Sequence, residues 1–200
     1  MKWRGKPVKT GIYKYPVGHS IYLGKEDVQN DHVLDRRFHG GLDKACYAYS
    51  LDHFDYWKNL YPELEFHNGI FGENLTIAGL DEANVSIGNI YTIGEAEVQV
   101  TQPRQPCFKL GLRFGTQKMI RQFIDSGFPG VYFRILQPGE VKKGDEFIPV
   151  EKKNSLSIQK VFELLYTNEF QQEEVKKAVN DPFIAESCRK DLLKRWGDYL

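Results

Sequence analysis

Glycine is distributed unevenly along this chain, and its distribution limits what the chain can fold into. Up to about residue 150, short segments of strand character alternate with glycine turns, and after that point the next glycine is Gly197. Many short strands with glycine turns are typical of a β-barrel or sandwich. We therefore expect a mainly β domain with a few helices over residues 1–152. A small all-α domain is expected over residues 153–200.

Three segments carry the clearest strand patterns. Residues 95–100 alternate strictly between apolar and polar side chains, which is the period of a half-buried strand. Residues 131–136 are aromatic and β-branched, and residues 146–150 look like a closing strand. Pro149 cannot donate to a neighbouring strand, so this last strand is expected at a sheet edge.

Five segments show helical periodicity, and three of them form the predicted C-terminal domain. A unit of roughly 45 residues rarely buries enough surface to be very stable alone. We therefore expect it to pack on the β domain or on another subunit, which leaves a homodimer contact open. The segments are 51–60 with Ser50 as N-cap, 117–125 with Thr116, about 157–166 with Ser157, a weaker 170–179, and a helix from residue 180 or 181, before Pro182, through Trp196.

Charge and hydropathy exclude several classes of partner. Lys plus Arg and Asp plus Glu both number 27, so the formal net charge is zero. This balance argues against nucleic acid or an anionic membrane as the main partner. No apolar run approaches the ~20 residues of a membrane span, and the N-terminus lacks the apolar core of a signal peptide. We expect a cytoplasmic protein that binds neither nucleic acid nor membrane.

The three cysteines differ in their surroundings. Cys46 lies in an aromatic segment and Cys188 in a helical pattern, and a free cysteine in such a place is typically a small buried hydrophobe. The number is odd and no Cys-x-x-Cys pair is present, which argues against a disulfide framework and a structural zinc site. Cys107 is therefore the candidate for chemistry.

Cys107 lies in a stiff, basic segment. Pro103 and Pro106 fix their own φ angles and bias the preceding residues to extended conformations. Arg104 and Lys109 place two cations within a few residues of the sulfur, and nearby cations favour the thiolate that binds metals and attacks electrophiles. The same description is compatible with a redox sensor, a nucleophile or a metal ligand.

Two further segments combine glycine with polar side chains. Residues 36–44 place cations, a histidine and an acid around a glycine pair, which suits an anion or pterin cradle and equally a charged turn. Residues 68–76 contain two glycines followed by Glu73 and Asn74, which suits either the edge of a heterocycle or a tight turn into a strand. No hydrolase triad, Walker loop or dinucleotide fingerprint is present, so hydrolase and nucleotide-binding functions lack support.

Taken in order, these three segments resemble the MOSC domain, the C-terminal domain of molybdenum cofactor sulfurases. The resemblance covers about residues 7–150 and is strongest to the bacterial YiiM-like branch, whose C-terminal three-helix domain also matches. Leu42 and Cys46 depart from the pattern, since that branch usually has proline and an aliphatic residue there. The matching residues are Arg37, His39, Gly40, Gly41, Asp43, Lys44, Ala45, Tyr47, Ala48 and Tyr49, then Gly69, Phe71, Gly72, Glu73, Asn74, Leu75 and Thr76, then Gln102, Pro103, Arg104, Pro106, Cys107, Lys109 and Leu110.

The resemblance implies a β-barrel-like fold with a pocket for the molybdenum cofactor in its molybdopterin form, a pterin dithiolene with a phosphate. In the enzymatic members one cysteine thiolate ligates molybdenum, and that role, both catalytic and metal-binding, falls on Cys107. No pyridoxal phosphate site is identifiable, although the family is also found fused to pyridoxal-phosphate-dependent sulfurases. The residues implied to bind the cofactor are Arg37, His39, Asp43, Lys44, Gly72, Glu73, Asn74, Arg104 and Lys109.

The activity implied by the resemblance is two-electron reduction of N-hydroxylated small molecules such as hydroxylaminopurines, amidoximes or hydroxylamines. Electrons would come from a separate flavin or iron–sulfur reductase, because this chain has no flavin or cluster motif of its own. Two alternatives stay open. One is a sulfur carrier in which Cys107 holds a persulfide for cofactor or metal–sulfur cluster assembly. The other is a non-catalytic pterin- or anion-binding module in which Cys107 is structural.

Overall fold

A six-stranded mixed sheet, curled into a half-barrel, forms the centre of the computed structural model. The strands are β1 (Lys2–Trp3), β2 (Lys6–Pro7), β3 (Ile21–Leu23), β4 (Cys46–Ser50), β5 (Leu75–Ile77), β6 (Ile90–Ile93), β7 (Ala96–Pro103), β8 (Val131–Gln137), β9 (Gly139–Val141) and β10 (Phe147–Glu151). The large sheet has the order β10-β6-β7-β8-β4-β5, and its neighbours are antiparallel except for the parallel pair β4 and β5. Two small antiparallel sheets pair β1 with β2 and β3 with β9.

Helices follow β4, β7 and β10. They are α1 (Phe54–Leu60), α2 (Phe108–Arg113), α3 (Lys118–Ser126), α4 (Ile158–Tyr166), α5 (Gln172–Asn180) and α6 (Glu186–Trp196). Short 3-10 turns occupy Leu42–Lys44, Leu51–His53 and Gly197–Tyr199. None of the helices in the part of the chain that the structure describes is long and apolar enough to cross a membrane.

The structure describes residues 2–3, 6–7, 10–29, 31 and 41–200, the first two pairs by their backbone alone. The predicted site residues Arg37 and His39 therefore lie outside the described residues.

The sheet confirms the predicted fold class and the strand periodicities. The apolar positions of the first predicted strand, Ala96, Val98 and Val100, are buried in β7. The predicted closing strand is β10, and it lies at the edge of the sheet, where the missing amide of Pro149 costs no hydrogen bond to a further strand. Mainly β structure with C-terminal helices is thus what the chain forms.

The helix boundaries are confirmed in part. Ser157 caps α4, because its side chain accepts a hydrogen bond from the Lys160 amide at 3.1 Å. The expected cap at Ser50 is wrong in detail, since a 3-10 turn comes first and no side-chain cap is formed. The last helix begins at Glu186 rather than near residue 180, because Asp181 instead accepts a hydrogen bond from the Phe183 amide and forms a turn.

Among the residues that the structure describes, two apolar clusters fill the interior. In the larger one the last three helices share a core with the sheet, with Val98 from the sheet and Val161 and Leu192 from the helices among its members. The smaller one is aromatic, and Trp57 and Phe123 are fully buried in it. It lies where α1, α2 and α3 meet the 69–76 loop, which carries the predicted site residues Gly72, Glu73 and Asn74.

Candidate functional site

Cys107 is the accessible thiol of the three. It is half-buried, whereas Cys46 and Cys188 are both 0% exposed. Burial raises the pKa of each of those two thiols from 9.0 to about 12, so both stay protonated at neutral pH. The structure therefore separates one thiol that a ligand can reach from two that act as small apolar side chains.

The backbone around Cys107 follows from its prolines and from the start of a helix. The residue is the N-cap of α2 with extended φ and ψ of −128° and 168°, and its carbonyl accepts the Leu110 amide at 2.9 Å. Its side chain makes no cap hydrogen bond. Strand β7 ends at Pro103, so three residues separate the end of the strand from Cys107.

Arg104 is buried beside this thiol. Its guanidinium donates to the Phe71 carbonyl, and it lies 4.9 Å from the centre of the Tyr47 ring. Burial works to lower the pKa of Arg104, but the Tyr47, Tyr132 and Cys107 groups around it raise it more, so the net pKa is above its ordinary value. Arg104 therefore supplies a fixed positive charge next to Cys107.

Glu73 organises the loop that receives Arg104. Its carboxylate accepts hydrogen bonds from the Gly69 amide at 2.5 Å, the Phe71 amide at 3.0 Å and the Thr76 hydroxyl at 2.9 Å. Burial raises the pKa of Glu73, and these hydrogen bonds and the Arg104 charge partly counter that rise. The hydrogen bonds of the Glu73 side chain thus lie within the loop of residues 69–76. They hold this loop in a conformation in which the Phe71 carbonyl accepts the hydrogen bond from Arg104.

The glycines of this loop are required by shape. Gly69 has a φ of 93°, and a Cβ there would lie 2.8 Å from the Lys14 carbonyl oxygen. Gly72 has a φ of 81°, and a Cβ there would meet the Ile12 side chain at 2.9 Å. Both positions combine a left-handed backbone with close contact, so the loop packs directly on residues 12–14.

Asn74 links strand β4 to a partly buried ion pair. It exchanges two hydrogen bonds with the backbone of Tyr47, at 2.8 and 3.0 Å, and its side-chain amide donates to Asp31 at 2.8 Å. Asp31 also accepts from the Lys14 ammonium at 2.6 Å. Neither Asp31 nor Lys14 was predicted from the sequence, because neither belongs to a motif and their contacts with Asn74 and with each other join distant parts of the chain.

Asp43 makes different contacts from the residues around Arg104. Its carboxylate pairs with Arg134 at 2.6 Å and accepts the Glu186 amide, at the start of α6, at 3.3 Å. Burial lowers the pKa of Lys44, while electrostatic interactions with Cys188, Asp191 and Asp43 oppose this. Both predicted residues therefore face α6.

Lys109 lies in the first turn of α2 and is half-buried. The structure thus brings Cys107, Arg104, Glu73 and Asn74 into one region, with Lys109 on the adjoining helix. Asp43 and Lys44 lie at the junction with α6.

A cleft of about 860 Å³ opens beside this region. Its volume lies in the range of ligand pockets, about 300–1,000 Å³. The wall includes Asp31, Glu73 and Asn74, together with residues from segments 10–22, 68–79 and 141–147. The wall carries charges of both signs, and one of its cations, Lys14, pairs with Asp31. The other cations on it are Lys142 and Lys143, and the other acids are Glu73, Asp145 and Glu146.

Tyr132 interacts electrostatically both with Cys107 and with Asp31, which lies on the cleft wall. Burial raises its pKa, Cys107 and Asp31 raise it further, and Arg104 opposes the rise. The ring centre of Tyr132 is 5.0 Å from that of Tyr47. Tyr132 carries no signal in the local sequence, and the pairing of β8 with β4 and β7 brings it here.

Comparisons with known proteins agree on one family. The family model described as MOSC domain matches residues 35–148. The uncharacterized protein YflK of Bacillus subtilis is 34% identical over 196 residues, covering 98% of this chain and 88% of YflK. The crystal structure of YiiM from Geobacillus stearothermophilus superposes with a TM-score of 0.82 at 37% identity, covering 94% of this chain and 89% of that one.

A further relative is longer than this chain. A protein of Gibberella moniliformis named Reductase is 32% identical over 164 residues, which is 78% of this chain but only 29% of the fungal protein. The match therefore concerns one part of that protein.

Proposed function

The chain belongs to the MOSC domain family, and from this membership we propose that it binds the molybdenum cofactor and reduces N-hydroxylated small molecules. The observation that carries the proposal is the placement of Cys107 as the half-exposed thiol beside the buried charge of Arg104. The fungal relative named Reductase supports the class of reaction. The two alternatives, a sulfur carrier and a non-catalytic binding module, assign other roles to the same thiol. The experiments below distinguish them from the proposed function.

The chemistry of the available donors fits this cofactor. Among the described residues no group of three or more His, Cys, Asp or Glu side chains could hold a metal ion. A metal bound at Cys107 would therefore need other ligands, and the dithiolene of the cofactor supplies soft sulfur donors of the kind that accept a further thiolate. Lys142 and Lys143 on the cleft wall would supply positive charge for its phosphate.

The residues of the chain would divide the work by position. Cys107 would contribute the thiolate ligand, and Arg104 would stabilise negative charge beside it, because a buried charge is weakly screened. Glu73 and Asn74 would shape the wall through the loop and strand that they connect. Lys109, Lys44, Asp43, Gly72, Arg37 and His39 complete the proposed binding set.

The proposed reaction balances as a two-electron reduction. The N–O bond of the substrate breaks, two electrons and two protons are taken up, and an amine or amidine and water are formed. The bound cofactor would supply the redox centre. The electrons would come from a separate flavin or iron–sulfur reductase, and the substrate would enter from the cleft.

The experiment that tests the proposal uses protein purified from a host that makes the cofactor. We expect molybdenum and pterin in similar amounts, and reduction of a hydroxylaminopurine with reduced viologen as electron donor. Cys107→Ser should lose this activity with an unchanged circular dichroism spectrum. Cys46→Ala, which removes a buried thiol, is the matched control and should keep it. Wild-type protein without molybdenum and pterin would contradict the proposal.

The sulfur-carrier alternative is tested on the same samples. After exposure to a cysteine desulfurase and cysteine, a carrier would gain the mass of one sulfur atom on Cys107. We expect no such gain in protein that holds the cofactor. A persulfide on Cys107 together with the absence of molybdenum would favour the carrier function.

A further inference from the structure

Helix α6 lies along the segment that joins β7 to Cys107, and hydrogen bonds connect the two. The Ala185 amide, just before the helix, donates to the Thr101 carbonyl at 3.0 Å. The Ser187 hydroxyl donates to Oε1 of Gln102 at 2.9 Å. The end of β7 is therefore tied to the first turn of α6.

A third hydrogen bond lies closer to the thiol. Nε2 of Gln105 donates to Oδ2 of Asp191 at 2.7 Å. Ser187 and Asp191 are four residues apart, so they lie on one face of α6. Only Pro106 separates Gln105 from Cys107, and its fixed φ leaves little slack between this contact and the sulfur.

The two side-chain contacts differ in strength. Gln102 is 2% exposed, so the loss of its bond to Ser187 would leave a buried amide oxygen without that donor. The bond between Gln105 and Asp191 is exposed to water, and such a bond contributes less. The first contact is therefore expected to fix the end of the strand, while the second limits the motion of the segment beyond it.

Helix α6 is itself firmly anchored. Cys188, Leu192 and Trp196 recur every four residues and are buried in the core. The Trp196 indole donates to the Leu164 carbonyl in α4 at 2.8 Å. A helix held along its whole length can serve as a rigid support for a neighbouring segment.

We propose that α6 is part of the Cys107 site and that Ser187 and Asp191 are positioning residues for residues 102–107. The inference rests on the proposed function, because a fixed position of Cys107 matters only if the thiol binds the cofactor. It assigns the C-terminal helices a role in the site rather than in stability alone.

The first test measures hydrogen–deuterium exchange in protein from a host without cofactor synthesis. In Ser187→Ala, amides of residues 104–112 should exchange about fivefold faster, as expected for the loss of one hydrogen bond of ordinary net strength. In Asp191→Ala, which loses the weaker, exposed bond, they should exchange about twofold faster. The Leu110 amide, bonded to the Cys107 carbonyl, is the most informative. Asp198→Ala, an exposed acid just beyond α6, is the matched control and should leave this exchange unchanged.

The second test measures molybdenum retained after dialysis in protein from a cofactor-competent host. Asp191→Ala and Ser187→Ala should retain less than wild type. Asp191→Asn keeps an oxygen acceptor at the same place without the charge, so it should restore both wild-type exchange and wild-type retention. This rescue separates positioning from an effect of charge.

Three outcomes would overturn the inference. Wild-type exchange over residues 104–112 in Ser187→Ala and Asp191→Ala would show that α6 does not hold the segment. Faster exchange with wild-type molybdenum retention would reduce α6 to a structural support. Wild-type protein without molybdenum would overturn the proposed function, and with it the positioning role, whatever the exchange result.

Discussion

Glu73 and Arg104 are two buried charged residues that act through one loop. The Glu73 carboxylate fixes the loop amides, and the loop presents the Phe71 carbonyl to Arg104. Arg104 in turn lies beside Cys107. Glu73 has no described contact with the thiol, but it affects the surroundings of the thiol because it orients the loop that binds Arg104. The energetic consequence is that Glu73 contributes to folding as well as to the shape of the site.

Replacing Glu73 should therefore destabilise the protein. Glu73→Ala leaves the buried amides of Gly69 and Phe71 without their acceptor, and we expect a loss of about 2–3 kcal/mol in the free energy of unfolding. Urea denaturation measures the loss. Glu65→Ala, an exposed acid in the same region, is the control and should stay within about 0.5 kcal/mol of wild type. If Glu73→Ala also stayed within about 0.5 kcal/mol of wild type, the result would contradict the role of Glu73 in stabilising the loop.

Among single residues, the sequence singled out several that the structure brings together, but it did not predict what they contact. The choice of Cys107 rested on its prolines and cations, which are local features, and the structure finds it half-exposed. The partners of Glu73 and Asn74 are backbone groups and Asp31, whose positions depend on how distant segments pack. Periodicity contains no such information, so Asp31 and Tyr132 were missed.

At the scale of elements, the start of α6 depends on a side chain outside the helix. Its N-cap, Ala185, has no side-chain acceptor, and the carboxylate of Asp43 accepts the Glu186 amide instead. The same carboxylate pairs with Arg134 on β8. Asp43, which precedes β4 in the chain, thus joins the half-barrel to the last helix.

Substitution of Asp43 should lower the stability of the protein through the loss of both contacts. Asp43→Ala removes the ion pair and the helix-end acceptor, and we expect a loss of about 2 kcal/mol in the free energy of unfolding. Asp43→Asn keeps a neutral acceptor and should lose about half as much. Thermal or urea unfolding measures the difference. Equal stabilities of Asp43→Ala and wild type would contradict this account of the α6 terminus.

Elements with strong local signals were predicted, and those defined by tertiary contacts were not. The alternation of apolar and polar side chains in β7 and the Ser157 cap of α4 both depend on residues that are close together in the sequence. Helix α2 is six residues long and contains Gly111, so its pattern is too short to recognise. The true start of α6 depends on Asp43, which is far away in the sequence.

At the scale of the whole molecule, the buried thiols make stability depend on alkaline pH. The pKa of Cys188 rises from 9.0 to about 12 on folding because burial disfavours the thiolate. A group with a raised folded-state pKa gives stability that is complete below its unfolded pKa and is lost as pH rises toward the folded value. Between pH 9 and 12 the unfolded chain therefore binds fewer protons at this site than the folded one.

Cys188→Val should reduce that dependence. One proton corresponds to ~1.4 kcal/mol per pH unit, so the slope of unfolding free energy against pH above 9 should become shallower by up to this amount. Urea titrations of both proteins at several pH values measure the two slopes. A parallel pair of curves would show that Cys188 does not titrate differently in the folded and unfolded states.

X-ray absorption at the molybdenum edge shows whether Cys107 ligates molybdenum in the bound cofactor, as we propose. The comparison uses wild-type protein and Cys107→Ser, both from a cofactor-competent host. We predict one fewer sulfur neighbour of molybdenum in the variant, replaced by an oxygen. The same number of sulfur neighbours in both proteins would contradict the claim.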